Sequence, residues 1–155
     1  MNLSSAYSRF HSVSERLRSP LLLIIRVFWG AQFIQTGWGK LTHLERTTEY
    51  FASLGIPAAH LNALAAGSTE CLGGLLLLLG LGARLASVPL LATMAVAYAT
   101  AERDAFGALF REPDKFTSAA PFLFLLASLI VLAFGPGAFS LDRLLLHENS
   151  IQRKT

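Results

Sequence analysis

Residues Leu64–Val88 read LAAGSTECLGGLLLLLGLGARLASV, and this stretch decides the class of fold. It is apolar enough to cross a bilayer, yet a glutamate, Glu70, lies well inside the apolar segment. A charged side chain at the centre of a membrane helix costs about 2.5–3.5 kcal/mol on insertion scales, so it needs a partner, a proton or water. The first apolar segment of the chain offers Arg26 as that partner. We therefore predict a small helical membrane protein in which Arg26 pairs with Glu70.

The composition agrees with a protein that crosses the membrane several times. Hydrophobic residues make up 53% of the 155 residues and charged residues 15%, whereas a soluble domain carries about 25% charged residues. The formal net charge is +3, and apart from Arg26 the basic residues lie in tails and connections without forming a dense patch. This pattern argues against nucleic acid as a partner and indicates contact with anionic lipid headgroups.

The apolar segments predict an all-α fold, a polytopic membrane protein built as an antiparallel bundle of four transmembrane helices. The very short turn at Gly80–Arg84 makes the second and third helices antiparallel neighbours. Ser19 and Pro20 are typical of a helix start, as N-cap and first residue. Short amphipathic segments are expected at the membrane surface between the spans. The predicted helices cover about residues 20–41, 58–81, 84–101 and 117–134 of a membrane domain at 20–146, which lies between a basic amphipathic segment at 1–19 and a polar tail at 147–155.

Small residues and turn residues recur at positions that suggest a structural role. Glycines on a membrane helix let a second helix approach closely, and glycine or proline after a helix ends it. Asp142 is expected to cap a final short helix, with an ion pair to a basic loop residue as the alternative. The positions with a predicted structural role are Gly30, Gly37, Gly55, Pro57, Gly73, Gly74, Arg84, Gly135, Pro136, Gly137 and Asp142.

The distribution of Lys and Arg predicts how the chain is inserted. The side of the membrane that holds both termini carries seven of these residues and the other side five. Because cytoplasmic connections carry the excess of Lys and Arg, we predict a multi-pass protein of the cell inner membrane with both termini in the cytoplasm.

Several motifs occur in a fixed order between about residues 20 and 145. They are Arg26 in helix 1, GWGK at 37–40, SLGIP at 53–57, ECLGG at 70–74, LGLGAR at 79–84 and FGPGAFSLD at 134–142. Together they resemble the DoxX family of small four-helix membrane proteins. The resemblance implies a four-helix bundle and a place in respiratory or redox gene sets: the small subunit of a thiosulfate:quinone oxidoreductase, complexes with soluble thiol or superoxide enzymes, or operons for metal-binding modified peptides. It implies no shared catalytic mechanism.

The polar residues inside the spans allow two interpretations. In the structural one, Arg26 and Glu70 fix how helices 1 and 2 pack. In the functional one, they line a pocket for a quinone headgroup and are the candidate catalytic residues, Glu70 as a proton carrier and Arg26 or Lys40 as a hydrogen-bond donor. The candidate quinone-binding residues are Arg26, Gln32, Gln35, Lys40 and Glu70.

Metal and haem sites are not expected. The four histidines are scattered and form no H-x3-H pair or Cys/His cluster, as a metal site would need. None of them lies in the middle of a predicted span, where an axial haem ligand would have to be. Cys71 is the only cysteine, and in an apolar helix it is expected to pack as a small hydrophobe. The sequence leaves the cofactor unknown, with a quinone as one possibility.

The function predicted from the sequence is that of an inner-membrane accessory subunit of a redox system, which anchors or serves a membrane-associated oxidoreductase. Two alternatives stay open, a quinone-interacting catalytic subunit that uses Arg26, Glu70 and Lys40, and a component of a small-solute transporter or channel. Catalysis by the chain alone is not expected. The predicted partners are the lipid bilayer and a soluble or membrane oxidoreductase, with a homo-oligomer also open.

Overall fold

The structure is a computed structural model that describes residues 3–145, with side chains at residues 7 and 11 and from residue 14 onward. The predicted polar tail at 147–155 lies outside this range. The described chain is helical and contains no strand, which confirms the all-α prediction. The helices are α1 (Leu3–Thr42), α2 (Leu44–Ser53), α3 (Ala59–Leu79), α4 (Ala83–Thr100), α5 (Arg103–Gly107), α6 (Pro113–Ser118) and α7 (Pro121–Phe134), and a short helical stretch over 141–145 ends the described part.

Among the described residues, three helices are long and apolar enough to cross a membrane: α1 through its segment Ser14–Thr42, α3 and α4. A fourth apolar helix, α7, has 14 residues and is therefore about 21 Å long at 1.5 Å per residue. It is shorter than the predicted 117–134, because the chain turns to an extended conformation at Ala119 (φ −65°, ψ 142°). Pro121 has no N–H to continue the preceding helix and starts a new one.

The first helix is longer than predicted. It begins at Leu3 and passes through Pro20 without a break, so the N-terminal segment and the first span form one helix. Ser19, the predicted N-cap, lies inside α1 and does not begin a helix. Its hydroxyl accepts a hydrogen bond from the Ala138 N–H at 3.2 Å, which ties the segment after α7 to α1.

The four apolar helices form a closed ring in the order α1, α3, α4, α7, with the largest contact between α1 and α3. Their inward residues form a core that includes Phe33, Leu77, Leu90, Met94 and Val131. The amphipathic helix α2 buries none of its residues and lies against α3. It ends at Ser53, and the positive φ of Gly55, 75°, lets the Ile56 N–H donate to the Phe51 carbonyl at 3.1 Å.

Glycines bring the α1 and α3 backbones into direct contact. A Cβ atom placed on Gly37 would lie 2.6 Å from the Cys71 nitrogen and 2.7 Å from the Gly67 oxygen. About one helical turn away along both helices, a Cβ on Gly74 would lie 2.7 Å from Phe33 Cβ. These approaches leave no room for a methyl group, so the glycines fix both the distance and the register between α1 and α3.

We predict that Gly37→Ala lowers the free energy of unfolding by about 1–3 kcal/mol, since the added methyl group would push α3 away from α1. Gly39→Ala is the matched control on the same helix, because a Cβ at Gly39 meets nothing within 4 Å. Thermal or SDS denaturation in detergent micelles measures both variants. Equal stability of the two would contradict the close glycine contact.

Candidate functional site

The predicted pair between Arg26 and Glu70 is wrong. Glu70 pairs with Lys40, with 2.6 Å between Lys40 Nζ and Glu70 Oε2, and Arg26 donates its hydrogen bonds to backbone carbonyls. The reason is the register of the antiparallel helices, which puts Glu70 beside Gly37 and the Leu77 carbonyl beside Arg26. Fourteen residues of α1 separate the two cations, or about 21 Å at 1.5 Å per residue. The chain thus has two polar centres at different depths.

The first centre is the arginine centre, formed by Arg26 and the carbonyls around it. Arg26 is 1% exposed. Its Nε donates to the Leu77 carbonyl at 3.0 Å and its Nη2 to the Leu78 carbonyl at 3.2 Å. Its Nη1 donates to the Phe139 carbonyl at 3.0 Å and also to the Pro136 carbonyl. A positive charge is favourable at the C-terminal end of α3, where the last carbonyls have no N–H partner within the helix.

The turn residues around Arg26 make room for its guanidinium group. Gly80 has a φ of 69°, and a Cβ there would lie 2.7 Å from Arg26 Cζ. Gly135 and Gly137 also have positive φ, at 77° and 80°, and they turn the chain after α7 so that the carbonyl of Pro136 meets Arg26. The predicted structural residues of the last motif therefore serve the same centre.

Asp142 caps a helix, although not the one that was predicted. Its carboxylate accepts hydrogen bonds from the N–H groups of Gly82 at 2.7 Å and Ala83 at 3.4 Å, at the start of α4. The final helical stretch is capped instead by Ser140, whose hydroxyl accepts a hydrogen bond from Arg143 N at 3.4 Å. The correction follows from the tertiary fold, which brings the α3–α4 turn against the last segment; the Asp142 N–H donates to the Gly80 carbonyl at 3.0 Å.

We predict that Arg26→Lys lowers the free energy of unfolding by about 1–3 kcal/mol, because one ammonium group cannot reach four carbonyls spread over two segments and buried acceptors stay unpaired. Arg84→Lys is the control, since exposed Arg84 makes one long hydrogen bond, at 3.4 Å to the Ala133 carbonyl. Denaturation in detergent measures both. Arg26→Lys unfolding like Arg84→Lys would contradict the role of the arginine centre.

The second centre is an ion pair beside a cavity. Glu70 lies in the middle of α3 with its side chain 2% exposed, and Lys40 reaches it from the last turns of α1 with its side chain 29% exposed. Next to them is a cavity of about 570 Å³, which we call the ion-pair cavity. It lies between α1, α3, α4 and the start of α7, below α2.

The walls of the ion-pair cavity are mostly apolar and small. Alanines of α3 and α4 leave the space open, and α2 places aromatic side chains along it. Hydroxyl and amide groups stand at intervals between them. The aromatic lining residues are Tyr50, Phe51 and Phe124, and the uncharged polar ones are Thr36, Asn62, Thr69, Thr93 and Thr100.

Two of the five predicted quinone-binding residues line this cavity, Lys40 and Glu70. Arg26 lies in the other centre, and neither Gln32 nor Gln35 is among the lining residues. Gln32 is half-buried and Gln35 is exposed. The prediction that all five residues line a single pocket is therefore wrong, and the cavity contains Lys40 and Glu70 alone of the five.

Sequence reasoning missed the neutral part of the lining. Thr36 precedes Lys40 by one helical turn and Thr69 precedes Glu70 in the chain. The i, i+4 spacing of Thr36 and Lys40 was the available signal, since it places both on one face of α1.

Within residues 3–145, no group of three or more His, Cys, Asp or Glu side chains comes together to hold a metal ion. The Cys71 thiol donates to the Ile34 carbonyl at 3.6 Å in the helix contact.

We predict that Lys40→Met lowers the free energy of unfolding by about 1–3 kcal/mol, because it leaves the buried Glu70 carboxyl without its donor. The double variant Lys40→Met/Glu70→Gln should regain most of this loss, since the remaining group is then neutral. Lys115→Met, at an exposed lysine, is the control. If the double variant is as unstable as Lys40→Met alone, the ion pair does not account for the effect.

Comparison with known proteins places the chain in a family. The family model DoxX matches residues 21–103. The uncharacterized membrane protein Rv3486 of Mycobacterium tuberculosis is 34% identical over 136 residues, which cover 80% of this chain and 80% of that protein. No solved structure matches the chain significantly. The chain belongs to the DoxX family of membrane proteins.

Proposed function

We propose that this protein is an accessory subunit of a membrane redox system, and that it holds a quinone in the ion-pair cavity for a partner oxidoreductase. One observation carries the proposal: an apolar cavity of about 570 Å³ has the ion pair of Lys40 and Glu70 in its wall. Small-molecule sites in proteins measure about 300–1,000 Å³ and combine apolar walls with a few placed polar groups.

The lining chemistry fits a quinone headgroup. A quinone ring is flat and apolar, and its carbonyls need hydrogen-bond donors; its reduction to a quinol takes up two electrons and two protons. The Lys40 ammonium group is a donor beside the cavity, and Glu70 can hold a proton there once Lys40 turns toward the ligand. The rings of Tyr50, Phe51 and Phe124 offer faces and edges for stacking. The electrons come from the partner oxidoreductase.

The proposed side of the membrane rests on the position of the cavity and on the count of Lys and Arg. The cavity lies toward the end of α1 that is far from the N-terminus, beside α2 and the α4–α5 connection. With both termini in the cytoplasm of an inner membrane, as the count of Lys and Arg favours, the cavity opens in the outer half of the bilayer. The proposed oxidoreductase then meets the ligand from that side.

A second candidate function is that of an anchor for a soluble oxidoreductase, without a ligand of its own. The observation that favours it is a pair of exposed aromatic side chains, Phe106 in α5 and Phe110 in the connection between α5 and α6, which is 93% exposed. Exposed aromatic side chains of this kind are typical of docking sites and of membrane-surface contacts.

The test is to purify the protein from its own membranes in mild detergent and to identify the co-purifying small molecules by mass spectrometry. We expect a quinone at near one per chain. Ala97→Phe should remove it by filling the cavity that Ala97 lines, whereas Ala99→Phe, at an exposed position of the same helix, should retain it. Glu70→Gln should retain the fold and change the yield of bound quinone.

Two results would overturn the proposed function. One is a purified protein that carries no quinone and has a soluble enzyme attached, which would favour the anchor. The other is equal quinone content in the Ala97→Phe and Ala99→Phe variants, which would place the bound quinone outside the cavity.

A further inference from the structure

The outward face of α1 carries a regular stripe of exposed side chains. Successive members are four and three residues apart in alternation, which is the a/d spacing of a heptad repeat and forms a straight seam along a helix. Every member is exposed in the bundle. This α1 stripe consists of Leu17, Leu21, Ile24, Phe28, Ala31, Gln35, Trp38 and Thr42.

One member of the α1 stripe does not suit lipid. Gln35 is exposed and lies seven residues before the end of α1, or about 10 Å into the membrane from that end. Its amide makes no hydrogen bond to any residue in the described range 3–145. An amide without a hydrogen-bond partner is unfavourable in hydrocarbon, so the structure leaves Gln35 in need of a donor and an acceptor.

The outward faces of the neighbouring spans have no such need. The exposed side chains of α3 and α7 at membrane depth include Leu72, Leu75, Leu126 and Leu129. Lipid chains satisfy leucine side chains as well as protein does. The amide of Gln35 therefore distinguishes the α1 stripe from an ordinary lipid-facing surface.

We propose that the α1 stripe is the interface of a parallel homodimer, in which the Gln35 side chains of two copies bond to each other. Copies inserted in the same direction are related by a two-fold axis along the membrane normal, and the axis brings the same residue of each α1 together. An amide is self-complementary, because each one donates its N–H to the other and accepts in return. A polar residue at one position of an apolar seam fixes its register.

The rest of the stripe agrees with a second copy of α1 as the occupant. Ala31 lies one turn before Gln35 and lets two helices approach closely at the level of the amides. The ion-pair cavity has Thr36 and Lys40 in its wall from α1, and neither belongs to the stripe. The dimer therefore leaves the cavity accessible and does not depend on the proposed function.

Disulfide cross-linking in native membranes tests the interface. Cys71 is the only cysteine, so a Cys71→Ser background allows single cysteines at Phe28, Ala31 and Leu72. Mild oxidation should link most of the Phe28→Cys and Ala31→Cys chains as dimers, while Leu72→Cys, on the outward face of α3, should stay largely monomeric. Equal cross-linking at all three positions would mean random collisions and would overturn the proposal.

A second measurement tests the role of the amide. In detergent, Gln35→Leu should weaken dimerisation about threefold to thirtyfold, which is the range of interhelical hydrogen bonds in membrane proteins. Gln35→Asn keeps an amide and should retain most of the affinity. Sedimentation or fluorescence energy transfer measures the dissociation constant. A wild-type protein that stays monomeric, or a Gln35→Leu variant that dimerises as tightly, would overturn the proposal.

Discussion

The arrangement of the bundle depends on a buried guanidinium group that is satisfied by backbone oxygens. Arg26 joins three separate parts of the chain, namely the middle of α1, the last turn of α3 and the segment after α7. Hydrogen bonds to carbonyls are as directional as those to a carboxylate, and five N–H donors in a rigid fork suit acceptors on two sides. Glycines and Asp142 surround this group at the end of the bundle that holds the α3–α4 turn and the segment after α7. Hydrogen bonds therefore join these segments in addition to apolar packing.

The membrane class and the four apolar helices were predictable because they depend on long apolar runs and short turns, and the family was predictable from the order of its motifs. The need of Glu70 for a partner was predictable as well, but its identity was not. Helix 1 offers two cations, and the choice between Arg26 and Lys40 depends on how α1 and α3 slide past each other. That register is set by Gly37 against Gly67, and a sequence shows which residues are small without showing which of them meet.

The cavity was beyond sequence reasoning for a related reason. It exists because α4 presents alanines on its inner face and because α7 starts late, at Pro121. No sequence motif marks the place where side chains leave a cavity. The glutamines of α1 misled the prediction, since a polar residue in a membrane span was expected to face the bundle interior, whereas Gln35 faces outward. Its polarity is better explained by a neighbour than by the interior of one chain.

The two polar centres are separated by an apolar layer. Phe33 lies between Arg26 and Lys40 along α1, and it packs with Leu90 and Val131 in the core. An unpaired charge is costly to bury among such side chains. Within the bundle, the layer keeps the charge of Arg26 apart from the ion pair of Lys40 and Glu70.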